Sequence, residues 1–416
     1  MVFTSQHVPK LSYGDTLSYT DRSYRVLDCL GHGSFGVVYA ALELREGNKP
    51  PIPRAIKIMR NDNIILPLHH LREITTHLDV SKACHVATLD HVFWNRSYIY
   101  LVMDYYSGGN LYDFLRLRRW QPVAGNTPEL KRVFLQILDG VAACHAKCIA
   151  HTDLKLTNVL VSGPDMAHVA LTDFGLANRE LHTDAFGRGT PQFLCPEAIT
   201  MPSTGLYNSE RNDIWALAVL LVHLATGRLP WHRACAADDP NFRAFCAAPE
   251  AFLATALPLA PALAAVLRQA LALDPLAALP LAGLRRAIVR LDSFWQTEAE
   301  IAQGSGHVRD VWSAYRYGVG QPADADGHHP AYLELPPVVR PVVVEEVVVE
   351  VKKVTPKSLP PLTGSGSTGE DSEGPASELF KLSHIVRIAQ GLWGDKAEGK
   401  GVFEDLTMEA RVECVA

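Results

Sequence analysis

Gly31-His32-Gly33-Ser34-Phe35-Gly36-Val37-Val38 lies between two runs of strand character, Tyr24 to Leu30 and Val37 to Leu44, and that placement constrains the fold more than any other stretch. Glycines at this spacing let backbone amides approach phosphate oxygens that a β-carbon would hold off. In a dinucleotide-binding fold the glycines would open a helix. Here a second strand follows, so the pattern predicts a hairpin lid. From these residues alone an ordinary glycine-rich hairpin reads the same way. Downstream, Arg54-Ala55-Ile56-Lys57-Ile58-Met59 is a short apolar strand with one lysine in its middle, costly unless the ammonium is paired or meets phosphate. Sixteen residues on, Glu73 falls in a helical patch beginning near Leu68 and offers a carboxylate for it.

The 416 residues are 48% apolar and 20% charged, which suits a large buried core and excludes a collagen or a wholly disordered chain. The formal charge of -6 argues against nucleic acid or an anionic membrane as the main partner. The eight cysteines are scattered without a C-x-x-C pair, as expected of reduced thiols in the cytoplasm or nucleus. The longest apolar stretch, Ile214 to Thr226, contains His223 and is too short to span a bilayer. A soluble intracellular monomer is therefore expected.

Texture divides the chain. Residues 21 to 104 are strand-rich with one helical patch, and residues 105 to 294 are mainly helical, with long segments at Leu130 to Lys147 and Asp213 to Gly227. Residues 1 to 20 read as an N-terminal extension and residues 295 to 416 as a low-complexity acidic tail. Charge follows the same boundary: residues 1 to 294 carry 28 basic and 26 acidic side chains, the remainder 11 and 19.

Two loops beside short strands carry the chemistry. His151-Thr152-Asp153-Leu154-Lys155-Leu156-Thr157-Asn158 precedes Val159-Leu160-Val161, and Asp173-Phe174-Gly175 follows Val169-Ala170-Leu171. Two Asp and one Asn form the hard oxygen set that magnesium takes when phosphates supply its other ligands. A metalloprotease or glycosidase would also use paired carboxylates, but neither accounts for the glycine loop and core lysine upstream.

These motifs, in this order, resemble the eukaryotic protein-kinase family over roughly residues 21 to 294. The resemblance implies an α+β fold of two lobes, a small β-rich N-lobe and a large α-helical C-lobe, followed by a largely disordered C-terminal tail. It implies ATP and Mg2+ as cofactors. Lys57 would hold phosphates with Glu73 as its partner, Asp153 would be the catalytic base, Lys155 a γ-phosphate contact, and Asn158 and Asp173 the magnesium ligands. Gly31, Gly33, Ser34 and Gly36 would cover the phosphates. Leu30, Val38, Ala55 and Leu160 would enclose adenine, with Met103 at the gatekeeper and Asp104 to Tyr106 at the hinge. Lys155 and Thr190, in Gly189-Thr190-Pro191, look like serine/threonine-kinase features, so protein substrates with Ser or Thr acceptors are implied. Arg72-Glu73-Ile74, Asn212 to Leu217 and Thr226 to Trp231 resemble fungal kinases that regulate meiosis and nutrient response.

Several positions depart from the family pattern. Thr152 stands where an arginine usually receives an activation-loop phosphate, so activity independent of loop phosphorylation is expected. Thr183 is the one regulatory acceptor the segment offers, because Thr190 is expected to shape the substrate site. Ala278 replaces the arginine that pairs with Glu197, with Arg285 or Arg286 as candidate substitutes. Cys195 is expected to be a small buried residue and His151 a core residue beneath Phe174. Asn110, Thr157 and His223 occupy positions where acidic side chains select basic substrates, so little preference for arginine is expected. Thr152, Ala218 and Ala278 also sustain a competing reading, a pseudokinase scaffold that binds nucleotide without efficient transfer; a small-molecule phosphotransferase ranks lower. In the tail, Val338 to Val354 is β-prone, Gly364 to Gly374 is a flexible acidic linker, and residues 378 to 393 carry a helical apolar stripe suited to docking on a partner or on the kinase.

Overall fold

The computed structural model describes residue 8 and residues 10 to 317, apart from 21, 34, 35, 48, 62 to 66, 164 and 204, together with 412 to 414. Ser34, the tail segments 338 to 354 and 364 to 374 and the helix expected near 378 to 393 lie outside the described residues.

The first part of the chain is a twisted antiparallel sheet with one helix. Strands β1 (Thr16–Tyr19), β2 (Arg22–Gly33), β3 (Gly36–Leu44) and β4 (Ile52–Arg60) follow in order; helix α1 (Leu68–Val80) precedes β5 (Leu89–Trp94) and β6 (Tyr98–Asp104). The sheet order is β1-β2-β3-β4-β6-β5, with Val412–Cys414 running parallel along β5. The sheet thus begins at Thr16, inside the stretch expected to be an extension, because Thr16 to Tyr19 pair with Arg25 to Arg22. Tyr24, Ile56, Ile58 and Val102 are buried in one apolar cluster, the core expected of alternating β-branched and aromatic residues.

The helical lobe is built on a spine that is apolar all round. Helices α2 (Leu111–Leu117) and α3 (Thr127–His145) are each capped by an asparagine, Asn110 and Asn126, that accepts a backbone N–H of the first turn. Strands β7 (Val159–Ser162) and β8 (His168–Leu171) form a hairpin carrying the two chemical loops. Short elements β9 (His182–Thr183), α4 (Pro196–Ile199) and β10 (Tyr207–Asn208) lead into α5 (Ser209–Thr226). Every α5 residue from Arg211 to Thr226 is buried, and Gly227, in the left-handed region at φ 67°, ends the helix. Around it pack α6 (Pro240–Ala247), α7 (Pro249–Ala256), α8 (Pro261–Ala270) and α9 (Leu281–Arg290), the first three opening on a proline in their first turn. His223 of α5 lies against Trp120, and burial pushes its imidazole down to about 4.

Order continues beyond the expected boundary at residue 294. Two further helices, α10 (Glu298–Gln303) and α11 (Gly306–Tyr317), close the lobe. Thr297 and Glu300 form a reciprocal capping box at the start of α10. Val308, Val311, Trp312 and Tyr315 give α11 one buried face. The Tyr315 hydroxyl donates to the Leu224 carbonyl at 2.6 Å, and the Trp295 indole donates to the Ala225 carbonyl at 2.6 Å. Arg316 donates to the Ala124 carbonyl at 2.6 Å, tying α11 to the turn before α3. Averaged over residues 295 to 416, the Pro, Gly and Ser of the tail conceal this four-residue stripe at helical spacing.

Candidate active site

Lys57 is where the sheet, α1 and the second chemical loop meet. Its ammonium donates to Glu73 Oε1 at 2.6 Å and to Asp173 Oδ1 at 2.9 Å. Burial penalises the charged amine, but the carboxylates of Asp173 and Glu73 outweigh it and leave the pKa raised. The Lys57 ammonium is the main cause that holds the Asp173 carboxyl down at about 2. Glu73 goes the other way: burial and the Asp173 charge raise it against the pull of Lys57. The one-in-strand lysine therefore does find the helix carboxylate sixteen residues on.

The first chemical loop is held from below by a buried aspartate. Asp213, fully buried at the start of α5, accepts from the His151 and Thr152 backbone N–H groups at 2.7 and 2.8 Å and from His145 Nε2 at 2.8 Å. Three donors satisfy its oxygens, as a fully buried carboxylate requires. Thr152 is in the left-handed region at φ 60°, and its hydroxyl donates to the Leu176 carbonyl at 2.6 Å. Asp173 is also left-handed, at φ 65°. Each such non-glycine conformation costs about 1–3 kcal/mol and persists only where surrounding contacts fix it.

Asp153 gathers the remaining groups. Its Oδ2 accepts from Lys155 Nζ at 2.7 Å and Asn158 Nδ2 at 3.1 Å, and its Oδ1 accepts from the Thr190 backbone at 3.0 Å and hydroxyl at 2.7 Å. Lys155 also reaches Thr190 Oγ1 at 2.8 Å. The Thr172 N–H donates to the Asn158 carbonyl at 3.0 Å, which joins the two loops. Asn158 spends its amide hydrogens on Asp153, and among the described residues its Oδ1 and the Asp173 Oδ2 accept no hydrogen bond. Two hard oxygens are thus left for a divalent cation, so the residues fit magnesium.

Phe174 lies between two histidines, with ring centroids 4.8 Å from His77 and 5.0 Å from His151. His77 reaches the Ala87 carbonyl at 2.7 Å, and burial pushes its imidazole down to about 4. His151 is a core residue beneath Phe174, as its sequence position suggests.

Around the expected nucleotide, strand register brings the named residues together. Gly31 pairs with Val38, Val38 with Lys57, and Ala55 with Met103. Leu160 bridges Asn110, just past the hinge residues Asp104 and Tyr106, and Leu30 is exposed within β2. The loop glycines differ in what they do. A β-carbon at Gly31 would meet nothing within 4 Å, whereas one at Gly36 would lie 2.2 Å from the Ile58 carbonyl oxygen. Gly36→Ala should accordingly lower the melting temperature by several degrees, whereas Gly31→Ala should leave it unchanged; thermal unfolding checks both.

A charged belt, unforeseen in the sequence, ties the hinge to the sheet. Arg54 of β4 meets Glu43 of β3 at 2.8 Å, Asp90 of β5 at 3.2 Å and the hinge Asp104 of β6 at 2.7 Å, while Arg22 of β2 meets Asp90 at 2.7 Å. Strand alternation hides such partners, because register decides which charges face each other.

Two expectations about Glu197 and its surroundings are corrected or refined. Arg285 is engaged with Asp139 at 2.6 Å and does not replace the missing cation; among the described residues both Glu197 carboxylate oxygens are buried without a hydrogen-bond partner. Cys195 is buried, and burial together with the Glu197 charge pushes its thiol far above the ordinary range. Thr183 is 3% exposed, with its hydroxyl oxygen accepting from the Ala185 N–H.

Comparison with known proteins agrees with this geometry. A family model described as a protein kinase domain matches residues 24 to 256. The "Negative regulator of sexual conjugation and meiosis" of Schizosaccharomyces pombe is 31% identical over 266 residues, 59% of this chain and 54% of that protein. The serine/threonine-protein kinase ksp1 of the same organism is 34% identical over 218 residues, 50% of this chain and 45% of its own length. The CBL-interacting serine/threonine-protein kinase 13 of Arabidopsis thaliana is 33% identical over 226 residues, 52% of this chain and 41% of its own length. The matched region thus spans about half the length of these relatives.

Proposed function

The chain belongs to the protein kinase family, and from that premise we propose that it is a serine/threonine kinase moving the γ-phosphate of ATP to hydroxyl groups of protein substrates. The observation that carries this reading is the joint assembly of Lys57–Glu73–Asp173 and of Asp153 with Lys155, Asn158 and Thr190. Asn158 and Asp173 would hold magnesium, which would neutralise phosphate charge when bound. Lys57 holds non-transferred phosphate oxygens, and Glu73 keeps its ammonium in place. Asp153 orients the acceptor hydroxyl and takes its proton, while Lys155 balances charge on the moving phosphoryl group. Thr190 ties the substrate segment to Asp153.

Loop phosphorylation has no part in this scheme. Thr152 fixes the catalytic loop directly to the Leu176 carbonyl, and Thr183 is buried rather than offered to a second kinase. Thr183→Ala should retain at least about half of wild-type transfer; loss of activity in a folded variant would refute independence from this residue. The reading as a whole is tested by magnesium-dependent transfer of labelled γ-phosphate to a panel of Ser/Thr peptides. Label transferred equally by wild type and Asp153→Asn would refute it.

A further inference from the structure

We propose that His85, in the loop after α1, and His168, the first residue of β8, form a binding site for a divalent transition-metal ion of the zinc class. The site is separate from the phosphate chemistry and does not depend on the kinase reading.

The two half-buried imidazoles come together although they are far apart in sequence, with ring centroids 4.9 Å apart and planes tilted by 35°. Two ring nitrogens that share one zinc ion each stand about 2.0–2.1 Å from it, and so about 3.3 Å from each other at a tetrahedral angle. Rings this close can supply such a pair by side-chain rotation alone.

One imidazole is already set as a ligand. His85 Nδ1 lies 3.0 Å from the Val169 carbonyl oxygen, and a carbonyl only accepts, so Nδ1 carries the hydrogen. In the neutral ring the lone pair then sits on Nε2, and a bond of this kind orients histidines that ligate metals. Among the described residues neither His85 Nε2 nor either ring nitrogen of His168 has a hydrogen-bond partner.

The backbone fixes this arrangement. His85 is left-handed at φ 62°, its carbonyl accepts from the Leu171 N–H at 2.8 Å, and the Ala87 N–H donates to the Leu171 carbonyl at 2.8 Å. A β-carbon at Gly140 of α3 would lie 2.6 Å from the His85 carbonyl oxygen, so helix and loop are in close contact. His168 is paired in β8 with Ser162, and the hinge Tyr106 ring is near-parallel to its ring, with centroids 6.2 Å apart. An ion would therefore meet ligands whose ordering cost is already met by the fold. Imidazole nitrogen suits zinc, copper or nickel rather than magnesium, which separates this site from the hard oxygens of Asn158 and Asp173. Among the described residues no group of three His, Cys, Asp or Glu side chains could hold a metal ion, so the protein gives two ligands and water fills the remaining positions. A bound ion would clasp the loop after α1 to the strand that leads into Asp173.

The test titrates zinc chloride into the full chain by calorimetry, with excess magnesium present, thiols kept reduced by a phosphine, and pH about 7.5, where imidazole is mostly neutral. Melting temperatures are recorded with and without zinc. Wild type should bind zinc at least about 10-fold more tightly than His168→Gln and His85→Asn, as expected when a metal ligand is removed. Asparagine is used at residue 85 because it tolerates the left-handed backbone. Zinc should raise the wild-type melting temperature by a few degrees and leave both variants unmoved. His168→Gln keeps the test decisive if His85→Asn alters stability by itself. Cys29→Ser should bind zinc as wild type does; Cys29 Sγ lies 3.7 Å from His32 Nε2 and is a competing thiol–imidazole pair. Wild-type affinity no tighter than that of the histidine variants, a loss confined to one of them, or a loss in Cys29→Ser overturns the proposal.

Discussion

Asp153→Asn should give a folded protein that transfers phosphate about 10³-fold more slowly than wild type, within the range expected for removing a positioned general base. The amide keeps the size of the carboxyl group, and its oxygen can still accept from the Thr190 backbone and hydroxyl. It cannot take a proton from the acceptor hydroxyl, and its NH2 group would face the Lys155 ammonium and the Asn158 amide, both of which now donate to Oδ2. The loss should fall on kcat. Retention of the wild-type melting temperature within a few degrees would show that the effect is chemical. A variant with more than a tenth of wild-type kcat would remove Asp153 from the role of base.

Truncation should have the largest effect on stability. A chain ending at residue 294 loses α10 and α11, and with them the buried side chains of Ile301, Val308, Val311, Trp312 and Tyr315. Burying each contributes about 1.5–3 kcal/mol, so together they approach the whole stability of a typical domain, about 5–15 kcal/mol. The Leu224 and Ala225 carbonyls at the end of α5 would also be stripped of their partners. Ending the chain at 294 should therefore give aggregated or unfolded protein, whereas ending it at 317 should preserve the cooperative unfolding of the full chain. Equal melting temperatures for the two truncations would refute a stabilising role for α10 and α11. Comparing the activity of the full chain with that of the chain ending at 317 tests docking of the tail on the kinase.

The sequence was most legible where chemistry dictates residue type at a fixed spacing. Lys57, Asp153, Asn158 and Asp173 stood out as a lysine in an apolar strand and hard oxygens in strand-end loops, and the resemblance to protein kinases implied their roles. Glu73 followed from helix position. Contacts set by tertiary packing were hidden. Arg54 shows nothing by itself; only strand pairing brings it to Asp104, Asp90 and Glu43. Asp213 could be seen as an acid opening an apolar helix, but its three donors come from α3 and the catalytic loop. The α11 stripe is four residues at helical spacing beside a long stretch of different composition, and averaging erased it.

Two of the buried histidines make the molecule sensitive to acid. His77 and His223 are both held near 4 by burial, against about 6.5 in an unfolded chain. From about 6.5 down to about 4 the unfolded chain binds protons that the native protein refuses, so stability declines as pH falls through that window. Each histidine accounts for about 3 kcal/mol across it. One lies in α1 of the sheet lobe and the other in α5 of the helical lobe, so neither lobe can shelter the other from acid. Replacing both imidazoles with neutral side chains of similar shape should therefore raise the protein's tolerance of acid.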